Sequence, residues 1–527
     1  MSYRVLVTDS LAESGLEILR LAEDIELRYE PGLSGQALLD AVAETDALIT
    51  RSGTAVTQEL VDAGNRLRIV GRAGVGLDNV DVDAATQKGI LVINAPTANI
   101  MSATEHTMAM MLALCRNIPQ ADASVKRGEW KRAKFLGMEL NNKTLGIVGL
   151  GRIGTRVAIR ARAFGMKVLA YDPYIAPSVA EKVGAEMVDL DGLLSSCDVI
   201  TVHTPMTDET RHMIGAAEML KMKDGVALVN CARGGIYEES ALVAALESGK
   251  VSIAAVDVFE EEPPSKDNPL LTAKNIILTP HIGANTVEAQ DRVAVQTAEM
   301  VIEALRGSIF VSAVNLPFEG VSDSDAAPLI VLAEKLGSFM AQLAQGPVTW
   351  AAIELWGIEE RLTKILSVAA AKGLLSFHLN QTVNFVNALS LAEQRGINFS
   401  ATVHTSPIDY TNLITIRVQT TKGELCSSAT LFSEKNQRIV SVNNFRVEFK
   451  PEGYLLYMVN KDVPGVVGKI GTILGDRDIN IAEYNLARAS GRGTAMAIVT
   501  IDTPLDPETL NFLRSFREME DVRQIRL

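Results

Sequence analysis

The sequence predicts an α/β protein of 527 residues: two doubly wound parallel-sheet domains, one inserted in the other, then an α+β domain and a ferredoxin-like tail. Three observations predict it. Short apolar strands alternate with helical periodicity from the N-terminus onward, the pattern of a parallel sheet covered by helices. The glycines of KTLGIVGLGRIGTRVA, Gly149, Gly151 and Gly154, form a G-x-G-x-x-G fingerprint well inside that alternation, not at its start. The C-terminal segment reads β-α-β-β-α-β, the split βαβ order.

Each element follows from its own pattern. YRVLVTD (3–9), DIELRYE (24–30), ALIT (47–50), RLRIVGRAG (66–74) and ILVIN (90–94) are strands, with helical patterns such as SGLEILRLAE and GQALLDAVAE between them. A long helix covers roughly 100–118. A second series begins at 144: TLGIV, KVLAYD (167–172), VITVHT (199–204), VALVNC (226–231), IAAVDVF (253–259) and NIILTP (275–280). A helix over 285–305 returns to the first domain, and VNLPFEG (314–320) marks a boundary. The next segment opens with two or three helices, including LIVLAEKLGSFMAQLAQ and RLTKILSVAAAKGLL. Hairpins follow, with turns at Lys422-Gly423 and Asn443-Asn444. The domains are therefore expected at 1–98 with 285–317, 99–284, 318–452 and 453–527.

Composition narrows the function. A formal charge of −14 argues against general binding to nucleic acid or anionic membranes, so an anionic substrate must be met by a local basic cluster. The cysteines Cys115, Cys197, Cys231 and Cys426 show no CxxC spacing, so neither a disulfide framework nor a metal site is expected. The chain begins directly with a strand, and charge or glycine interrupts its apolar stretches before spanning length. A cytoplasmic enzyme is expected.

The fingerprint follows a strand and opens a helix, as dinucleotide binding requires. Its glycines allow a tight turn, close approach of backbone to pyrophosphate, and close helix–strand packing. Asp172 ends the second strand of this series, where a carboxylate accepts from ribose hydroxyls and repels a 2′-phosphate. NAD is therefore expected over NADP. Ligands in such sheets sit at the carboxyl ends of the strands. Three of those ends carry Arg233, Glu262 and His281. Arginine offers a planar fork for a carboxylate. Histidine can take a hydroxyl proton while hydride leaves the carbon, and a carboxylate can fix its ring. The other histidines are weaker candidates: His203 is structural or near the cofactor, His106 is a packed helix residue, and His212, His378 and His404 show no acid or arginine partner.

GLGRIG, NCARGG, VDVFEEEPP and LTPHIGANT together resemble the D-isomer-specific 2-hydroxyacid dehydrogenase family, in its long form with an extra domain and a C-terminal ACT domain. The resemblance covers essentially the whole chain. It implies that Arg233 binds the substrate carboxylate and carbonyl, Glu262 supports the histidine, and His281 is the acid/base. It adds cofactor contacts from Arg152, Ile153, Asp172, Thr204, Cys231, Ala232, Asp257 and Gly283, and counts Arg233 and His281 among the cofactor-binding residues as well. The implied reaction is NAD-dependent oxidation of 3-phospho-D-glycerate to 3-phosphohydroxypyruvate, the first step of L-serine biosynthesis. A related dehydrogenase acting on glycerate or hydroxypyruvate is the alternative, and a non-catalytic NAD-sensing corepressor a second.

Arg51, Ser52, Arg72 and the backbone of Gly74, Val75 and Gly76 are candidates to bind phosphate and carboxylate. Val75 stands where the family often has threonine, and Asn99 resembles the family's substrate-side asparagine. In KRGEWKRAKF (126–135), Lys131, Arg132 and Lys134 either attract phosphate or form a solvated segment with Trp130 packed against a neighbour. Asn460, Asp462 and Asn480 match ACT positions that hold an amino acid, with L-serine the leading effector; a purely dimerising module is the alternative. The resemblance also implies a homo-oligomer, a dimer or tetramer. No anion site is assigned to Arg438, Arg446 and Lys450.

Overall fold

The computed structural model describes residues 2–308, 313–318, 326–379, 381–406, 409–433, 436–488 and 493–527; Glu319 and Gly320 of the VNLPFEG boundary lie outside them. The chain forms two compact units. One comprises 1–10, 19–94 and 297–527, the other 11–18 and 95–296.

Among the described residues, the first unit contains three sheets. Strands β1 (Tyr3–Val7), β2 (Ile25–Tyr29), β3 (Ala47–Thr50), β4 (Ile69–Arg72) and β5 (Leu91–Asn94) form a parallel sheet in the order β2-β1-β3-β4-β5. Val5, Leu6, Val7, Leu48, Ile49, Val70, Val92 and Ile93 are all buried, the continuous apolar reading of strands covered on both faces.

The second unit contains β6 (Thr144–Val148), β7 (Lys167–Tyr171), β8 (Glu186–Met187), β9 (Val199–Val202), β10 (Val226–Asn230), β11 (Val251–Val256) and β12 (Ile276–Leu278). All pair in parallel, in the order β12-β11-β10-β9-β6-β7-β8. On one face, Met108, Met111, Leu114, Val157, Ala158 and Ala161 of two helices pack on Leu145, Ile147, Val229 and Ala255. On the other, Leu193, Met219, Leu242 and Leu246 cover Val148, Ile200, Leu228 and Ala254. The order reverses direction between β6 and β9, the switch point at which doubly wound sheets open a ligand crevice.

The third sheet corrects the reading of helices first. Strand β13 (Val348–Trp356) lies between the helices Ala327–Leu343 and Thr363–Ser376. It pairs in parallel with β14 (Asn398–His404) and antiparallel with β15 (Leu413–Thr420). The alanines, glutamate and leucine of β13 are good helix formers, and its central position between two partners overrides that preference. Strands β16 (Gly423–Leu431), β17 (Gln437–Val442) and β18 (Phe445–Phe449) complete the sheet. Thr420 pairs with Gly423, so the first turn is Thr421-Lys422, one residue earlier than expected. The second is at Asn443-Asn444, with Asn443 at φ 51°.

The tail forms an antiparallel sheet of β19 (Tyr454–Lys461), β20 (Ile481–Arg488), β21 (Thr494–Ile501) and β22 (Met519–Arg526), in the order β20-β21-β19-β22. The helices Val466–Gly475 and Pro507–Arg514 pack on one face. On the other face, Leu455, Tyr457, Met496, Ile498 and Ile525 join the apolar core of the third sheet with Ile330, Leu366 and Ile416.

Candidate active site

The fingerprint turn is built by what its glycines leave out. Gly149 adopts φ 93°, and a Cβ there would lie 2.8 Å from the carbonyl of His203. A Cβ on Gly154 would lie 2.2 Å from the Gly149 oxygen, so only glycine lets the helix Arg152–Ala163 start this close to β6. Nothing lies within 4 Å of a Cβ built on Gly151, which leaves the helix N-terminus open. No side chain caps that terminus, so its N–H groups remain available to a phosphate. Asp172 accepts from the N–H of Leu150 at 2.9 Å and of Tyr174 at 3.0 Å, which seats its carboxylate beside the glycine turn. Across the switch point the Oγ1 of Thr204 is buried without a hydrogen-bond partner. A glycine cradle, an open helix terminus, an oriented carboxylate and an orphan hydroxyl fit a dinucleotide. Arg152 and Ile153 lie in the first turn of the same helix.

The ends of β10, β11 and β12 bring the predicted catalytic residues together. Asn230, buried at the end of β10, shapes the first loop: its amide donates to the Arg233 carbonyl at 2.8 Å and its oxygen accepts from the Ala232 N–H at 3.0 Å. Cys231 is buried in that loop, and burial together with the charge of Asp257 raises its thiol pKa strongly. Glu262 Oε2 stands 2.7 Å from His281 Nδ1, while its other oxygen accepts from the Phe259 N–H at 3.0 Å. Burial alone would raise the Glu262 carboxyl. The hydrogen bonds from His281 and Phe259, with the charges of His281 and Arg233, outweigh it and hold the group below its usual range. With Nδ1 engaged, the His281 Nε2 is the atom left for proton exchange.

Asp257 organises the loop that carries His281. Its carboxylate accepts from the N–H groups of Ile282 and Gly283, both at 2.9 Å, and from the Thr279 hydroxyl at 2.5 Å. His106 Nε2 lies 3.2 Å from the same carboxylate. Helical spacing predicts a packed helix residue at His106 and gives no sign of this partner, which lies just past the end of β11. His212, expected to lack an acid partner, has one in Glu260 at 3.1 Å. His203 is within 3.1 Å of the Thr201 hydroxyl, and burial pushes its pKa from 6.5 to about 4. His378 approaches the Ala341 carbonyl at 3.1 Å, and His404 stacks on Trp356.

In the first unit, β3 and β4 carry the predicted anion-binding loops side by side. Asp9 clamps one, accepting from the N–H of Arg51 at 2.5 Å and of Thr54 at 3.1 Å. Asn79 holds the carbonyls of the same two residues, both at 2.6 Å. The Arg51 guanidinium donates to the Ser10 carbonyl at 3.0 Å, and Ser52 is exposed. The Arg72 guanidinium lies where a Gly74 side chain would stand. The Val75 carbonyl accepts from Asn94 at 2.7 Å, and Gly76 follows it. Asp9 and Asn79 are further residues that sequence reading missed. Neither belongs to a motif, and their partners are backbone atoms.

Asn99 stands at the N-terminus of the helix Ile100–Cys115, and its side chain makes no capping hydrogen bond there. Lys131, Arg132 and Lys134 line a shallow surface recess with Trp130, which is 78% exposed rather than packed against a neighbour. In the tail, Asn460 is buried with an unpartnered oxygen, Asp462 pairs with Arg488 at 3.2 Å, and Asn480 donates to Asp502 at 2.8 Å.

Known proteins match this chain end to end. Residues 108–283 match the D-isomer specific 2-hydroxyacid dehydrogenase, NAD binding domain. Residues 326–443 match the D-3-phosphoglycerate dehydrogenase intervening domain. The D-3-phosphoglycerate dehydrogenase of Bacillus subtilis is 42% identical over 100% of both chains. The chain belongs to the D-isomer specific 2-hydroxyacid dehydrogenase family. Like that family it is an NAD-dependent oxidoreductase. The D-3-phosphoglycerate dehydrogenase of Synechocystis is also 42% identical, over 99% of this chain and 95% of that protein. Among solved structures of the family, the D-lactate dehydrogenase of Aquifex aeolicus, in complex with NAD and lactic acid, is 32% identical. It covers 60% of this chain and 100% of its own, with a TM-score of 0.53. No helix among the described residues is long and apolar enough to cross a membrane.

Proposed function

We propose that this dehydrogenase oxidises 3-phospho-D-glycerate at C2 to 3-phosphohydroxypyruvate, the first step of L-serine biosynthesis, in the cytoplasm. The observation that carries the chemistry is the 2.7 Å contact of Glu262 with His281 Nδ1. It fixes the ring and leaves Nε2 to take the C2 hydroxyl proton. Arg233 holds the substrate carboxylate and polarises the forming carbonyl. NAD, when bound, supplies the hydride acceptor. Gly149, Gly151, Arg152, Ile153 and Gly154 would hold its pyrophosphate and Asp172 its ribose. Thr204, Cys231, Ala232, Asp257 and Gly283 would line the rest of its site.

Arg51, Ser52, Arg72, the backbone of 74–76 and Asn99 receive the acid, and Arg132 and Lys134 add attraction for the phosphate. The full-length match to proteins called D-3-phosphoglycerate dehydrogenase supports this substrate over smaller 2-hydroxy acids. The tail acts as a sensor in which Asn460, Asp462 and Asn480 bind L-serine between two copies of a homo-oligomer. The test is kcat/KM for 3-phosphoglycerate, glycerate and lactate, each with and without serine. A preference for the phosphorylated acid and a loss of turnover with serine are expected. Equal rates on all three acids would refute the substrate assignment, and indifference to serine the effector.

A further inference from the structure

The loops that present Arg233 and Glu262 are pressed together with no room to spare. A Cβ on Gly234 would lie 1.8 Å from the carbonyl oxygen of Phe259. A segment that no motif marks fastens them. Residues 212–214 run beside 235–238: the His212 N–H donates to the Gly235 carbonyl at 2.6 Å, Ile214 to Ile236 at 3.1 Å, and Glu238 back to Ile214 at 3.2 Å. His212 sits in the left-handed region at φ 51°, a conformation histidine tolerates better than most residues.

From there its ring reaches the second loop, with Nε2 3.1 Å from Glu260 Oε1. Glu260 is anchored in turn. Its N–H donates to Glu239 at 2.8 Å, and Glu239 accepts from Asn268 at 2.7 Å. Two residues along the chain, Glu262 holds His281.

We propose that His212 is a positioning residue, whose main chain holds the Arg233 loop and whose ring, through Glu260, holds the Glu262 loop in register with it. The proposal rests on the reading of Arg233, Glu262 and His281 as the catalytic set. Misplacement of such a set by an ångström costs up to about a hundredfold in rate, whereas the pyrophosphate and ribose of NAD are expected at the glycine turn and Asp172, which His212 and Glu260 do not hold.

The test uses the full-length enzyme with NAD and 3-phosphoglycerate, and the variants His212→Ala, His212→Gln, Glu260→Ala and the double alanine variant. Each single alanine variant should lower kcat about ten- to a hundredfold, with NAD affinity kept within about twofold. The double variant should be no worse than the worse single one, because both remove the same link. His212→Gln, which keeps a donor for Glu260, should recover most of the loss. The proposal is overturned if His212→Ala keeps normal kcat, if the two losses multiply, or if NAD affinity and Tm fall together with kcat and glutamine does not rescue them. His281→Ala is the control for the underlying reading: normal kcat there would bring down the catalytic assignment whatever the His212 variants do.

Discussion

His106 Nε2 stands 3.2 Å from the carboxylate of Asp257, completing a ring of donors around a fully buried charge. The same carboxylate takes Thr279, Ile282 and Gly283, and the Asp257 carbonyl accepts the His281 N–H at 2.8 Å. The burial of Asp257 would raise its carboxyl; the hydrogen bonds from His106, Thr279 and Ile282 and the charge of His106 hold it below its usual range. The loop that carries His281 is therefore hung on one side chain. Asp257→Asn sets an amide against N–H donors, and breaking a buried charge network of this kind costs about 3 kcal/mol. A lower Tm and a fall in kcat are expected from thermal unfolding and steady-state kinetics. An unchanged Tm would contradict the network.

The Gly154 contact is a packing prediction. A Cβ would lie 2.2 Å from the Gly149 oxygen, so Gly154→Ala must push the helix away from β6. Overpacking costs about 1–3 kcal/mol, and the displaced helix N-terminus should weaken NAD binding as well. Calorimetric titration with NAD checks it.

Asp172 is seated by two backbone N–H groups, which fix its carboxylate beside the glycine turn, where we propose that it meets the ribose. Hydrogen bonds to a charged group contribute about 1.5–3 kcal/mol. Asp172→Ala should thus lower kcat/KM with NAD about ten- to a hundredfold and leave the rate with NADP unchanged or higher. Equal losses with both cofactors would show that the carboxylate only supports the turn.

His203 supplies a pH prediction. Its folded pKa is depressed to about 4 from 6.5, so the unfolded chain binds the proton more readily. The stability this group contributes is complete above pH 6.5 and is lost as pH falls towards 4. The Tm of the wild type should decline more steeply across that window than that of His203→Asn. Parallel curves would mean that His203 does not titrate there.

The strands that carry chemistry were legible because they are short, apolar and punctuated by glycine or proline. TLGIV and ALIT fall on β6 and β3 without adjustment. The places of the fingerprint, Asp172, Arg233, Glu262 and His281 after β6, β7, β10, β11 and β12 were legible because each follows an apolar run directly or by a short loop. β13 was not, because VTWAAIELW mixes helix formers with aromatics and only its neighbours make it a strand. The partners of His106 and His212 were also hidden: Asp257 and Glu260 lie far along the chain, and only the parallel register of β9, β10, β11 and β12 brings those ends together.

We propose that His281, fixed by Glu262, moves the proton while NAD takes hydride from 3-phosphoglycerate. Steady-state kcat for wild type and His281→Ala, with NAD and 3-phosphoglycerate, checks that role. A loss of about 10² to 10⁴ in kcat is expected, with NAD binding retained. A His281→Ala enzyme with near-normal kcat would contradict it.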